Sequence, residues 1–185
     1  MRKLVAAINM TVDGFCDHTK VIADEELHQH YSELLKSSAV ILYGRITYQL
    51  MEYWRDLVKN PTGIKSMAEF AATIDQIPKI VFSNSLKKVD WETAKLAKRD
   101  IKDEVLELKQ NPDDENKNIL VGSPGLIVAL TNLNLIDEFQ LCVQPIIAGE
   151  GLPLFKKISD QINLTLLKTK TLKSGSIILY YAPKK

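Results

Sequence analysis

The sequence predicts an α/β protein whose central sheet is mostly parallel and ends in an antiparallel pair of strands. Up to residue 133, apolar runs of strand length alternate with segments of helical period, which is the pattern of parallel strands joined by crossover helices. Beyond residue 133 the strand-like segments follow one another without a strong helix, which favours antiparallel pairing. A chain of 185 residues is long enough for one hydrophobic core, so we expect a single domain over residues 1–185.

Seven segments have the length and apolar content of β-strands. Residues 39–43 are apolar throughout, as in a strand that is buried on both faces. Between residues 139 and 143, apolar and polar side chains alternate with the period of a strand. In chain order the predicted strands are residues 4–8, 39–43, 78–83, 118–121, 139–143, 164–167 and 176–181.

Apolar residues spaced by three and four predict the helices between these strands. Leu27, Tyr31, Leu34 and Leu35 share one face of the first helix, and Asp24 could cap its N-terminus. The same spacing predicts further helices at residues 46–53, 67–74, 101–108 and 126–133. Residues 87–117 are otherwise polar and rich in lysine, and residues 111–116 are predicted to form a solvated turn.

Composition excludes several classes of function. The 24 basic and 23 acidic residues give a net charge of +1, which argues against a nucleic-acid or membrane-surface binder. The apolar run near the N-terminus is too short for a signal peptide, and no stretch is long enough to span a membrane. Two cysteines, Cys16 and Cys142, are too few for a disulfide framework. We therefore expect a soluble cytoplasmic protein.

Several familiar catalytic motifs are missing from the sequence. Neither the P-loop pattern nor the complete dinucleotide fingerprint GxGxxG occurs, and the segment around Ser123 lacks the glycine that a nucleophile elbow requires. His28 and His30 lie about 200° apart around the predicted first helix, so they cannot share one ion. The sequence therefore predicts no metal site.

The junction after the second strand is suited to an anion. Gly44 ends the strand, and Arg45 and Thr47 fall in the opening turn of the next helix. Glycine allows close approach to the backbone, free N–H groups point outward, and arginine can bind two phosphate oxygens at once. The alternative is an ordinary helix start at which Arg45 pairs with a surface carboxylate.

Two further junctions have the same position at strand ends. After the strand at 118–121, Gly122 and Gly125 flank Ser123, which is also a good N-cap residue. The strand at 78–83 ends at Ser83, and Asn84 and Ser85 follow it. These three residues could hold a sugar phosphate or form an ordinary turn. Ligands of open α/β sheets bind beyond the carboxyl ends of the strands. Three such junctions at one edge therefore suggest a ligand with several phosphates, such as a dinucleotide.

These residues, taken in order, give the chain a resemblance to the dihydrofolate reductase superfamily. The closer similarity is to the branch that includes the C-terminal half of the bifunctional riboflavin-biosynthesis deaminase-reductase, and it covers nearly the whole chain. The resemblance implies the dihydrofolate reductase-like three-layer α/β/α fold. The segments that carry it are residues 10–15, 43–48, 81–86, 121–125, 135–138 and 145–155.

The resemblance implies an oxidoreductase with NADPH as its cofactor, and it assigns parts of the site. Gly44, Arg45 and Thr47 would lie against the phosphates, and Ser83, Asn84 and Ser85 against the adenosine ribose and its 2′-phosphate. Gly122, Ser123 and Gly125 would hold the pyrophosphate at a helix N-terminus, where relatives commonly have a second glycine in place of Ser123.

The resemblance also suggests where the reaction takes place. The loop at Asp13 would lie near the nicotinamide, so Asp13 is a candidate proton relay or substrate contact, with an Asp-Gly turn residue as the alternative. Glu150 is a second candidate. His28 stands near the position where dihydrofolate reductases carry an acidic residue on the first helix, so we expect a substrate contact there and no reduction of folate.

The expected function is hydride transfer from NADPH to a small heterocycle, for which the resemblance implies 5-amino-6-(5-phosphoribosylamino)uracil. One alternative is a non-catalytic NADP(H)-binding or regulatory module, which would bind the cofactor without turnover. Another is a structural dimerisation protein, which would not be stabilised by NADPH. A homodimer is expected because residues 177–181 offer an apolar strand that could form a sheet edge.

Overall fold

The computed structural model describes residues 1–111 and 116–184. The strands are β1 Leu4–Thr11, β2 Ser38–Gly44, β3 Lys79–Phe82, β4 Ala94–Leu96, β5 Asn118–Val121, β6 Glu138–Gln144, β7 Leu164–Thr171 and β8 Ile177–Pro183. The α-helices are α1 Glu25–Lys36, α2 Arg45–Lys59, α3 Lys65–Gln76, α4 Ile101–Gln110 and α5 Pro124–Asn132, and His18–Lys20 forms a 3₁₀ turn.

The eight strands form one sheet in the order β4-β3-β2-β5-β1-β6-β8-β7. The neighbours from β4 to β6 pair in parallel, whereas β8 is antiparallel to both β6 and β7. The predicted mostly parallel sheet with an antiparallel C-terminal pair is therefore confirmed. The direction of strand addition reverses at β5, which lies between β2 and β1, whereas β3 and β4 lie on the other side of β2.

Two hydrophobic clusters cover the two faces of the sheet and make the fold three-layered. Alternate residues of β1 point to opposite sides, so that Leu4 packs in one cluster and Val5 in the other. The cluster that holds Leu4 includes Val105 of α4 and Ile127 of α5. The opposite cluster receives side chains from α1, α2 and α3. The candidate site described below lies on the side of α1, α2 and α3.

The expectation that residues 177–181 form an apolar sheet edge is wrong. They belong to β8, which is hydrogen-bonded to β6 on one side and to β7 on the other. The apolar character of β8 reflects its interior position in the sheet. The edge strand beside it is β7, where Leu166 and Leu167 are about half exposed. The homodimer stays a prediction.

The structure differs from the sequence prediction at one further place. β4 forms an eighth strand within the polar segment that we expected to contain only a helix. It is three residues long, too short for its side-chain pattern to be recognised. Most of the predicted solvated turn at residues 111–116 lies outside the described residues.

The helix N-termini fall into two kinds. The carboxylate of Asp24 accepts a hydrogen bond from the backbone N–H of Leu27 at 2.8 Å, so the predicted cap of α1 is confirmed, and Asp100 caps α4 in the same way. Gly44 and Ser123 precede α2 and α5, and neither makes a side-chain capping bond. Ser123 therefore occupies the N-cap position without capping the helix through its side chain. Among the described helices, none has the length and hydropathy needed to cross a bilayer.

Candidate functional site

A cavity of about 1150 Å³ opens at the carboxyl ends of the parallel strands. It lies between the sheet and helices α1, α2 and α3, with the turn after β3 and the start of α5 at its border. All nine residues that the sequence singled out at the three strand ends line this cavity: Gly44, Arg45, Thr47, Ser83, Asn84, Ser85, Gly122, Ser123 and Gly125. His28, the predicted substrate contact, lines it as well.

The N-termini of α2 and α5 both border the cavity. Neither helix has an acidic residue in its first turn or a capping side chain, in contrast to α1 and α4. The first N–H groups of a helix lack partners within the helix, and the helix dipole makes that end partly positive. Two such ends at one cavity create a region that favours a bound anion.

A hydrogen bond joins the two glycine-containing junctions. The hydroxyl of Ser123, which is buried, accepts a hydrogen bond from the backbone N–H of Gly44 at 2.9 Å. Two glycines flank Ser123. A Cβ added to Gly122 would lie 3.4 Å from the carbonyl oxygen of Ala7, whereas a Cβ added to Gly125 would have no atom within 4 Å. Gly122 is therefore tightly packed against β1, and Gly125 leaves the start of α5 open.

Arg45 extends from the first turn of α2 beside this junction. Its side chain is exposed, and its Nη1 donates to the Oε1 atom of Gln49 at 3.2 Å. None of the ion pairs found among the described residues includes Arg45. The structure thus does not show the pairing with a surface carboxylate that we considered as an alternative, and the guanidinium is available to an anionic ligand.

The segment after β3 forms a compact turn. The hydroxyl of Ser83 accepts hydrogen bonds from the backbone N–H groups of Ser85, at 3.2 Å, and Leu86, at 3.0 Å. This geometry is that of a serine-stabilised turn, so the turn interpretation is correct for Ser83. Asn84 and Ser85 are exposed on it at the border of the cavity, where they can still contact a ligand.

Asp13 and Glu150 are not among the residues that line the cavity. The carboxylate of Asp13 accepts hydrogen bonds from the hydroxyl of Thr11 at 2.6 Å and from the backbone N–H groups of Ala148, at 3.1 Å, and Gly149, at 2.7 Å. These bonds, led by that of Thr11, lower the pKa of Asp13 to about 2. Asp13 therefore joins the end of β1 to the loop after β6, whereas Glu150 is exposed on that loop.

The loop after β6 reaches the cavity through Leu152, next to the segment that follows β1. The backbone N–H of Cys16 donates to the carbonyl of Leu152 at 2.8 Å, and Phe15 forms a bridge with Pro153. Cys16 and Leu152 both line the cavity. Burial raises the pKa of the Cys16 thiol to about 11, so this thiol stays protonated at neutral pH.

The inner wall of the cavity is aromatic, which the sequence analysis did not predict apart from His28. The rings of Trp54 on α2 and Phe70 on α3 lie 4.6 Å apart in an edge-to-face arrangement. The ring of His28 on α1 is 5.6 Å from Trp54 and 5.8 Å from Phe70. Burial lowers the pKa of His28, an effect that the charge of Asp24 opposes. His28 therefore belongs to an aromatic cluster and is mainly neutral at pH 7.

No cluster of three or more metal-ligating side chains occurs within residues 1–111 and 116–184. His30, the other histidine of α1, is buried and packs against Tyr31 and against Tyr180 of β8.

Comparison with known proteins finds a matching family and a similar bacterial protein, each over nearly the whole chain. The family model described as the RibD C-terminal domain matches residues 2–178. The uncharacterized protein YyaP of Bacillus subtilis (strain 168) is 31% identical over 186 residues, which cover 97% of this chain and 94% of YyaP.

Solved structures share the fold at lower sequence identity. A pyrimidine reductase-like protein from Corynebacterium diphtheriae superposes with a TM-score of 0.66 at 14% identity, covering 100% of this chain and 92% of that protein. The diaminohydroxyphosphoribosylaminopyrimidine deaminase/5-amino-6-(5-phosphoribosylamino)uracil reductase of Thermotoga maritima gives a TM-score of 0.65 at 17% identity. This second match covers 99% of the chain and 57% of the larger Thermotoga protein.

Proposed function

The chain belongs to the family of RibD C-terminal domains, and on this premise we propose that it is an NADPH-dependent reductase acting on a small heterocycle. The observation that carries the proposal is the convergence of three strand-end junctions on one cavity. Residues 44–47, 83–85 and 122–125 are far apart in sequence, yet all of them border the same space. A long ligand with more than one anionic group, such as a dinucleotide, could contact all three.

The polar groups of the cavity fit the phosphates of such a dinucleotide. The uncapped N-termini of α2 and α5 supply backbone N–H donors without a competing acidic side chain. Arg45 supplies a guanidinium that can bind two phosphate oxygens. In this proposal the start of α5 holds the pyrophosphate, and Gly44, Arg45 and Thr47 hold the adjoining phosphate oxygens.

The turn after β3 is the proposed contact for the adenosine end. Asn84 and Ser85 are exposed there and can donate hydrogen bonds to ribose or to a 2′-phosphate. Bound NADPH would supply a hydride to a carbon of a C=N bond, a solvent proton would complete the addition at nitrogen, and NADP⁺ would be released. The protein would orient the two partners and exclude water between them.

Asp13 has a positioning role in this proposal. Its carboxylate holds the loop that places Leu152 at the cavity, and its three donors keep it ionised. An ionised carboxylate with a pKa of about 2 is a poor proton donor at neutral pH. We therefore assign Asp13 to the shape of the site and leave proton delivery to solvent.

A thermal-shift titration tests the cofactor assignment. The protein is titrated with NADPH, NADP⁺, NADH and AMP, and the melting temperature is followed. We expect NADPH to raise the melting temperature, because a ligand that binds only the folded state stabilises it by mass action. NADH should give a smaller shift at equal concentration because it lacks the 2′-phosphate. Equal shifts with NADPH and NADH would contradict the 2′-phosphate contact, and no shift with either would contradict the function.

The family relation also suggests a first substrate to assay. The Thermotoga relative is named for the reduction of 5-amino-6-(5-phosphoribosylamino)uracil, so this compound is a direct candidate. Consumption of NADPH in its presence would demonstrate a reductase. Binding of NADPH without consumption by this compound or by other pyrimidines and pteridines would instead indicate a cofactor-binding module.

A further inference from the structure

Among the described residues, those that line the part of the cavity not assigned to the cofactor include no lysine or arginine. We propose that the substrate is a planar, uncharged nitrogen heterocycle without a phosphate group. This inference rests on the proposed function, since it concerns the acceptor of the same hydride. It narrows the substrate to a class that differs from the phosphorylated pyrimidine named for the Thermotoga relative.

The aromatic wall provides the surface for a flat ring. His28, Trp54 and Phe70 come from three different helices, and each ring lies within 6 Å of the other two. Tyr31 and Met51 also line this part of the cavity and add further apolar surface. Aromatic and thioether side chains bind planar rings by stacking and edge contacts, which require no charge on the ligand.

Few charged residues line the cavity, and each of them has a partner or a proposed role. Among the described residues that line it, Arg45 is the only lysine or arginine, and Asp17 is the only acidic residue. The carboxylate of Asp17 caps the 3₁₀ turn: it accepts hydrogen bonds from the backbone N–H of Thr19 at 2.9 Å and from its hydroxyl at 2.7 Å. Arg45 is the first residue of α2, one of the two helices whose N-termini are proposed to hold the cofactor. No other cation is therefore left for a phosphate on the substrate.

The two histidines at the cavity do not replace that missing cation. His28 is half-buried between Trp54 and Phe70, and this burial favours its neutral form. His18 is exposed to solvent in the 3₁₀ turn after β1. A phosphate transferred from water to an apolar wall without a paired cation would lose much of its solvation free energy. The wall therefore selects against phosphorylated substrates.

The mouth of the cavity has the same apolar character. Ile46 and Tyr53 on α2 are 64% and 55% exposed, and Leu152 on the opposite loop is 56% exposed. Leu50 lies one turn from each of the two α2 residues and is also exposed. Large apolar side chains that remain exposed around a concave site commonly mark a surface that a ligand covers. An entering substrate would thus meet apolar side chains at the rim as well as at the inner wall.

The proposal is tested with two pairs of compounds that differ only by a phosphate. The first pair is 5-amino-6-(5-phosphoribosylamino)uracil and its dephosphorylated form, assayed as substrates with NADPH. The second pair is FMN and riboflavin, whose binding is measured by quenching of tryptophan fluorescence with NADP⁺ bound. We expect the member without phosphate to be favoured at least tenfold in kcat/KM or in Kd. Preference for the phosphorylated member of either pair, or no interaction with any of the four compounds, would overturn the proposal.

A charge introduced at the rim tests the physical cause. Leu50→Lys places a cation beside the mouth and should reduce the preference for the unphosphorylated member of each pair several-fold. Val58→Lys is the matched control, because Val58 is exposed on the same helix but does not line the cavity. The control should leave the preference unchanged. An unchanged preference in Leu50→Lys would contradict the charge argument.

The thermal shift with NADPH separates the two levels of the proposal. If NADPH stabilises the protein and the phosphorylated substrates are preferred, only the inference about the substrate fails. If NADPH does not bind, the proposed function itself fails.

Discussion

The hydroxyl of Ser123 accepts a hydrogen bond from the backbone N–H of Gly44 at 2.9 Å, across 79 positions of sequence. It connects the start of α5 to the start of α2. This bond holds the N-termini of the two helices next to each other. A glycine in place of Ser123 could not form this bond, so the serine adds a connection that a glycine pair lacks.

Ser123→Ala should therefore weaken both the fold and the binding of NADPH. The substitution removes one hydrogen bond, leaves the Gly44 N–H without its partner, and should cost about 1 kcal/mol of unfolding free energy. The Kd for NADPH should rise roughly threefold to tenfold. The reason is that the lost bond no longer holds the two helix N-termini in the geometry that binds the cofactor. Urea unfolding and calorimetric titration measure the two effects.

Ser37→Ala is the matched control for this experiment. The Ser37 hydroxyl donates to the carbonyl of Leu34 at 2.8 Å at the end of α1, away from the cavity. The control should lose some stability and keep its affinity for NADPH. If Ser123→Ala binds NADPH as tightly as the parent protein, the bond has no role in cofactor binding.

The carboxylate of Asp13 should make the unfolding free energy depend on pH. Its pKa is lowered to about 2 in the folded protein, chiefly by the hydrogen bond from Thr11 and then by those from Ala148 and Gly149. A lowered carboxyl pKa contributes stability above the ordinary pKa of 3.8, and this contribution is lost as the pH falls through about 2. The difference in unfolding free energy between the parent and Asp13→Asn should be largest near neutral pH and disappear in strong acid.

Asp90→Asn is the comparison for this prediction, because Asp90 is an exposed residue paired with Lys88 at 3.0 Å. Surface pairs of this kind contribute little, so its effect should be small at every pH. If Asp13→Asn matched the parent in stability at neutral pH, the three hydrogen bonds would not stabilise the loop.

His30 should make the unfolding free energy depend on pH in a second range, which lies at higher pH than that of Asp13. Burial lowers its pKa to about 4, with Lys170 and Lys168 acting in the same direction and Glu33 against them. Between an unfolded pKa of 6.5 and a folded value of about 4, only the unfolded chain takes up this proton. Stability should therefore fall as the pH falls through this range, by roughly 3 kcal/mol at most.

His30→Phe keeps a ring between Tyr31 and Tyr180 and removes the titrating group. Its unfolding free energy should change less between pH 7 and pH 4 than that of the parent. His18→Gln, which replaces an exposed histidine, is the control variant. Parallel curves for the parent and His30→Phe would show that His30 does not titrate differently on unfolding.

Local patterns in the sequence predict most strands and helices but not the order of strands. Residues 177–181 are apolar because β8 has neighbours on both sides, and the same pattern would suit an edge strand that pairs with a second copy. The three residues of β4 have no detectable period, and their pairing with β3 is a tertiary contact.

The three strand-end junctions of the candidate site could be predicted because they depend on local signals. A strand end followed by glycine, serine or arginine indicates an anion-binding junction, and parallel strands bring such junctions to one edge. The aromatic wall has no comparable signal. Trp54 and Phe70 follow the same helical spacing as core residues, and only the packing of α1 against α3 and of α2 against α3 brings them to His28.

The role of Asp13 could not be derived from its neighbours in sequence. An Asp-Gly pair predicts a turn, and the structure has this turn, with Gly14 at a φ of 88°. The partners of the carboxylate at residues 148 and 149 are about 135 positions away. Their N–H groups become partners only when the loop after β6 packs beside the end of β1.

The affinity of Arg45→Ala for NADPH tests the central claim most directly. Isothermal titration calorimetry compares this variant with Lys59→Ala, which removes one positive charge from the other end of α2, outside the cavity. If Arg45 binds the cofactor phosphates, the Kd for NADPH should rise roughly 10- to 100-fold in Arg45→Ala and stay near the parent value in Lys59→Ala. Equal affinities in the two variants would contradict the assignment of this cavity to NADPH.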